Sequence, residues 1–176
     1  MRGLRRIEPR QHRDNRGRFL VAWRTQDLVL LEGWAPFVQE SISESRRGVL
    51  RGLHMQHPIQ QGKLVRVIHG AIFDVVVDLR PDSTTRGEHR FARINSDSAS
   101  ALWIPPGLAH GFLVESEEAI VLYQVTAPWT PNEELTIRWD DPALGIDWPL
   151  TAPPILSKRD AAAPPLSAAL SQPGLH

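Results

Sequence analysis

From residue 18 to residue 139 the chain runs as short apolar stretches, each closed within a few positions by Gly, Pro, Asn, Asp or Ser. That spacing leaves no room for long helical faces and points to many short strands joined by turns. The clearest stretch is 71–79, AIFDVVVDL. Strand alternation puts Phe73, Val75, Val77 and Leu79 on one face, with Asp74 and Asp78 on the other. Further strands are expected at 18–23, 37–42, 49–53, 64–69, 91–95, 101–104, 110–114, 119–125 and 135–139, with 43–48 as a polar break. Residues 25–31 suggest a short helix with Thr25 as its N-cap. Neither an internal repeat nor a heptad is present, so the expected class is all-β, a jelly roll or β-sandwich barrel with few short helices.

The 176 residues suit a single domain, and no linker divides them. Beyond residue 140 the chain is Pro-rich, and its tail, 161–176, is rich in Ala, Pro and Ser and expected to be loosely ordered. Twenty basic residues balance 20 acidic ones, which argues against non-specific binding to nucleic acid or to a membrane surface. No apolar run approaches the length of a membrane span, and the polar N-terminus lacks the apolar core of a signal peptide. The absence of cysteine excludes a disulfide framework, a thiolate nucleophile and a Cys-based zinc site. A cytoplasmic location is the expectation.

Chemistry-bearing residues concentrate in 48–70, GVLRGLHMQHPIQQGKLVRVIHG, which holds Arg51, His54, Gln56, Gln60 and Lys63. His54-x-Gln56 with Lys63 downstream, and Pro105-x-Gly107-x-x-His110 later, read as the two halves of a cupin-type site. Metal-binding cupins carry H-x-H and a later Glu in the first half. Here Gln56 replaces the second His and Lys63 the Glu, and an ammonium repels a divalent cation. Two histidines alone make a poor metal site. Lys63 could instead supply positive charge where a metal would polarise a carbonyl, stabilising the enolate formed when a proton leaves the carbon beside a ketone. His54 can accept that proton, and Tyr123, the chain's only tyrosine, shares a strand face with Val121 and Val125. Taken singly, each residue has an ordinary reading: a structural histidine, a core tyrosine, solvated charges on Arg51 and Lys63. A non-catalytic binding cupin and a metal-dependent cupin stand as the alternatives.

Motifs spread along nearly the whole chain carry a resemblance. They are Asp14-x-Arg16-Gly17-x-Phe19, Phe37-Val38-Gln39, Val49-Leu50-Arg51-Gly52-Leu53-His54-x-Gln56, Gly62-Lys63-Leu64-Val65 and Phe73-Asp74-Val75-x-Val77-Asp78-x-Arg80. Trp103-Ile104-Pro105-x-Gly107-x-Ala109-His110-Gly111-Phe112, Leu122-Tyr123, Trp139-x-Asp141, Gly145-Ile146-x-Trp148-Pro149 and Leu156-Ser157-x-x-Asp160 continue the series. Together they resemble the dTDP-4-dehydrorhamnose 3,5-epimerase family of cupin-fold enzymes acting on sugar nucleotides. The resemblance implies His54 as base, Asp160 as the acid paired with it, Tyr123 as proton donor and Lys63 as the cation beside the enolate. It implies substrate contacts at Arg16, Gln39, Arg51, His110 and Glu134, the arginines serving the diphosphate, and a base-stacking role for Phe19. It further implies a homodimer with exchanged strands and no metal or organic cofactor.

Several positions depart from the family pattern. Ser41 stands for an Asn, Val21 for a base-contacting Glu and Pro128 (beside Trp129) for a stacking Tyr. Arg159 stands for a Lys before the C-terminal Asp and keeps its charge as an expected substrate contact. Val21 and Pro128 both fall in the base pocket, so the departures gather around the nucleotide while the acid/base set is intact. Inversion at C3, at C5 or at both is compatible with these residues.

Overall fold

A computed structural model describes residues 1–175. Two five-stranded antiparallel sheets face each other. The first has the order β1 (Arg5–Ile7), β9 (Ala101–Ile104), β6 (Lys63–His69), β11 (Glu118–Val125), β4 (Gln39–Arg46). The second runs β12 (Glu134–Thr136), β5 (Leu50–Gln56), β10 (Leu108–Val114), β7 (Ala71–Asp78), β8 (His89–Asn95). A separate two-stranded hairpin joins β2 (Gln11–Asp14) to β3 (Gly17–Leu20). This is the all-β sandwich that the punctuated sequence called for.

Three apolar layers hold the sheets. Val65, Val67, Leu102, Ile104 and Val121 of the first sheet meet Ile72, Val76, Leu108 and Phe112 of the second between them. The outer face of the first sheet is closed by α1 (Thr25–Leu28), whose Leu28 packs on Leu64 and Trp103. The outer face of the second carries Leu53, Phe73, Val75 and Val77 against Leu144, Trp148, Leu166, Ala169 and Leu175 of the C-terminal segment. β7 is therefore buried on both faces, because each face has a cover. Its two aspartates share the inner face and have no exposure.

Gly52 shows why the strand carrying His54 contains a glycine. Its φ is +111°, and a Cβ there would lie 2.5 Å from Gly111 Cα, where the β10–β5 register shifts between His110 and Phe112. Only paired glycines let the two backbones approach so closely.

Four expectations need correction. The first strand ends at Leu20 rather than at residue 23. The helix is a single turn, Thr25–Leu28; its N-cap is Arg24 without a side-chain cap bond, not Thr25. The polar break at 43–48 is mostly strand, since β4 runs to Arg46. Its inward residues, Ser41, Ser43 and Ser45, are small and polar because part of that face lines a cavity rather than a core. The tail, expected to be loose, is docked: α3 (Leu166–Leu170) follows α2 (Lys158–Ala161), and Leu166, Ala169 and Leu175 are buried. Each fully buried Leu contributes about 1.5–3 kcal/mol, which outweighs the weak local propensity of an Ala/Pro-rich segment.

Candidate active site

One end of the sandwich holds a cavity of about 480 Å³, reached by side chains of both sheets. β4 supplies Gln39, Ser41 and Ser43, β6 Lys63 and β11 Tyr123, while the second sheet supplies His54, His110 and Glu134. Ser157 and Asp160 close it from the start of α2.

His54 and Asp160, 106 positions apart, meet here with Nε2 and Oδ1 2.6 Å apart. Ser157 caps α2 by accepting the Asp160 N–H at 3.0 Å, which fixes where the carboxylate points. Burial alone would raise the Asp160 pKa, but hydrogen bonds involving His54, Ser157 and the Gly52 backbone hold it below the ordinary value. An ionised Asp160 accepting from Nε2–H leaves Nδ1 of His54 as the ring nitrogen with a free lone pair.

Lys63 donates from Nζ to the His54 carbonyl at 3.2 Å. Its pKa is lowered to about 8 by burial, against the opposing pull of Glu134 and Asp74. At neutral pH the ammonium is charged in a poorly solvated place, where it acts strongly on any negative charge formed nearby.

Tyr123 lies on the same sheet as Lys63 and on the opposite sheet from His54, its hydroxyl 2.9 Å from Ser43 Oγ. Burial raises its pKa well above that of a free phenol, so it stays a neutral proton donor. His110 packs edge-on to the Tyr123 ring, centroids 6.4 Å apart, and its Nε2 is 2.7 Å from Asp74 Oδ2. Two His–Asp pairs thus meet at the cavity: the histidines line it from opposite positions of the β5–β10 register, Asp160 reaches it from α2, and Asp74 lies fully buried behind His110.

Gln39, Arg51, His54, Lys63, His110, Tyr123, Glu134 and Asp160 all line this one cavity. Arg51 is exposed and bonded to Ser45 Oγ at 3.0 Å. Arg159 stands behind Glu134, its Nη1 2.6 Å from Oε2, rather than in the lining. Arg16 and Phe19 are not brought here: they sit on the β2–β3 hairpin, with Phe19 67% exposed. Asp74 and Ser43 were missed as site residues. An aspartate inside an otherwise apolar strand was the available signal for Asp74, and the i, i+2 serine series for Ser43.

Among the described residues no group of three His, Cys, Asp or Glu side chains could hold a metal ion. The two cavity histidines are each tied to a carboxylate, and Gln56 and Lys63 stand where a cupin's further ligands would be. No described helix is long and apolar enough to cross a membrane.

Known proteins share this architecture and sequence. The sequence model of dTDP-4-dehydrorhamnose 3,5-epimerase matches residues 1–168. The Pseudomonas aeruginosa protein of that name is 47% identical over 155 residues, covering 88% of this chain and 86% of the relative. Its Salmonella typhimurium counterpart is 44% identical, covering 93% and 91%. The crystal structure of dTDP-6-deoxy-D-glucose-3,5-epimerase from Legionella pneumophila, in complex with dTDP-4-keto-L-rhamnose, superposes with a TM-score of 0.91 at 42% identity, covering 95% of this chain and 89% of that one. The chain belongs to the dTDP-4-dehydrorhamnose 3,5-epimerase family.

Proposed function

We propose that this protein inverts C3, C5 or both centres of a dTDP-4-keto-6-deoxyhexose, by removing and returning protons alpha to the C4 ketone. The observation that carries the reading is the His54–Asp160 pair at 2.6 Å in one cavity with Lys63 and Tyr123. His54 accepts the alpha proton at Nδ1, and Asp160 holds the ring and balances the imidazolium that forms. Lys63 stabilises the enolate oxygen. Tyr123, from the opposite sheet, returns a proton to the other face of the carbon, its hydroxyl oriented by Ser43. Water then restores both groups between turnovers.

Arg51 serves the diphosphate, while Gln39, His110 and Glu134 contact the sugar nucleotide and Arg159 holds Glu134 in place. The reading includes a cytoplasmic homodimer with exchanged strands. Two observations support the exchange. Arg16 and Phe19 are presented outward on a hairpin that forms no part of either large sheet, and β4 is an edge strand beside the cavity. A partner's hairpin laid on that edge would bring its Arg16 to the diphosphate and its Phe19 to the base.

Incubation with the 4-keto substrate in heavy water tests the chemistry. Deuterium should enter at C3, C5 or both, and His54→Ala should abolish the exchange. Unlabelled C3 and C5 after prolonged incubation with the wild-type protein would sink the proposal.

A further inference from the structure

Gln56 stands where a metal-binding cupin has its second histidine, yet it does not line the cavity. It is buried to 3% exposure and faces the connection 126–133 between β11 and β12. Its Nε2 donates to the Thr130 carbonyl at 3.0 Å, and its Oε1 accepts the Thr130 N–H. The side-chain amide thereby pairs with one residue's backbone as a neighbouring strand would. Two further glutamines hold the same connection: buried Gln61 donates to the Ala127 carbonyl at 2.6 Å, and Gln39 Oε1 accepts the Trp129 N–H at 2.9 Å.

The clasped connection carries Trp129, 50% exposed at the cavity mouth. The indole N–H donates to Glu134 Oε1 at 3.1 Å, and Glu134 is held in turn by Arg159. A large flat ring, bonded through its N–H to Glu134 and carried on a connection that three glutamines hold by its backbone, offers a preorganised surface for the outer part of a bound molecule. Other backbone bonds hold the ends of the connection, at Thr126 to Gly62 and at Glu133 to His57, so the glutamines are what tie down its middle, 127–130, where Trp129 sits.

The geometry assigns Gln56 a positioning role: it fixes the 126–133 connection, and through Trp129 sets the affinity of the cavity mouth for the nucleotide end of the substrate. The assignment rests on the sugar-nucleotide reading of the cavity. It separates binding from chemistry, because the His54–Asp160 and Ser43–Tyr123 contacts do not involve the connection.

The test is steady-state kinetics on the 4-keto sugar nucleotide with Gln56→Met, which keeps side-chain length and removes both hydrogen bonds. KM should rise about tenfold and kcat stay within about twofold. Gln56→Glu keeps the acceptor for Thr130 N–H but sets an oxygen against the Thr130 carbonyl; it should raise KM in the same sense and serves where Gln56→Met fails to fold. Trp129→Ala should raise KM by itself, and adding Gln56→Met should then raise it by less than about twofold more. Acrylamide quenching of the emission lost in Trp129→Phe should increase in Gln56→Met, an outcome that needs no substrate. A fall in kcat at constant KM, fully multiplicative KM effects, or unchanged quenching would each overturn the assignment. If the wild-type protein fails to turn the substrate over, the functional reading fails while quenching still decides on the clasp.

Discussion

Lys63 makes pH a direct probe of the mechanism. Its ammonium loses its proton near pH 8 in the folded chain, against 10.5 for an ordinary lysine. Protonated fractions on either side of that value differ about tenfold between pH 7 and pH 9, so kcat/KM should fall about tenfold across that interval. Stability should move the other way. The unfolded chain binds this proton more tightly than the folded one, so unfolding takes up a proton between pH 8 and pH 10.5, and the lysine's contribution to stability rises across that window. The full difference amounts to at most about 3 kcal/mol. Initial rates and urea midpoints measured along one pH series would show activity declining while this contribution to stability grows. Lys63→Arg keeps a cation that does not titrate in this range, so its alkaline limb should move beyond pH 10, and Lys63→Met should lose the limb together with most of the activity. Substrate diphosphate should hold the proton on Lys63, placing the limb of kcat at higher pH than that of kcat/KM. An alkaline limb that stays near pH 8 in Lys63→Arg refutes the assignment of that proton to Lys63.

Other expectations concern single contacts. Asp160→Asn preserves the shape of the 2.6 Å pair but removes the charge that balances the imidazolium; kcat should drop by about a thousandfold or more, with KM little changed, as single-turnover rates would show. Ser43→Ala leaves the buried Tyr123 hydroxyl without its partner, so inversion should slow by roughly tenfold while deuterium still washes into the substrate, a split that NMR of substrate and product resolves. Mixing inactive His54→Ala with weakened Arg16→Ala protein should restore up to roughly a quarter of wild-type activity if the hairpin crosses between protomers; no recovery would remove the exchange from the proposal. Gly52→Ala places a Cβ 2.5 Å from Gly111 Cα at φ +111°, and its melting temperature should fall by many degrees, whereas Gly48→Ala, which meets no atom but carries the backbone strain of φ +78°, should lose less.

What the sequence disclosed about this molecule divides along physical lines. Features set by local chemistry were readable. The 71–79 alternation forms β7 with the expected faces, and the two half-sites carry His54 and His110 into one cavity. Features set by what covers a face were not. The serines of β4 resemble a polar break because polarity ordinarily marks solvent, and here it marks the inside of a site. The tail looked unstructured by composition, yet the exposed apolar face that β5, β7 and β10 would otherwise present gives Leu166, Ala169 and Leu175 a place to bury. The pairing of His54 with Asp160 was implied by the family resemblance, but local chemistry alone did not reveal it. It depends on the tail's course around the sandwich: Asp141 accepts the Leu166 N–H at 2.6 Å, and Pro164 accepts from the Arg138 backbone, just beyond the helix that carries Asp160. Gln56 unites both kinds. Its departure from the metal-binding pattern was visible in the sequence, but its use appeared only once Thr130, 74 positions away, was seen against its amide. A side chain at the position where a metal-binding cupin carries a histidine here pairs instead with the backbone of Thr130, on the connection that bears Trp129.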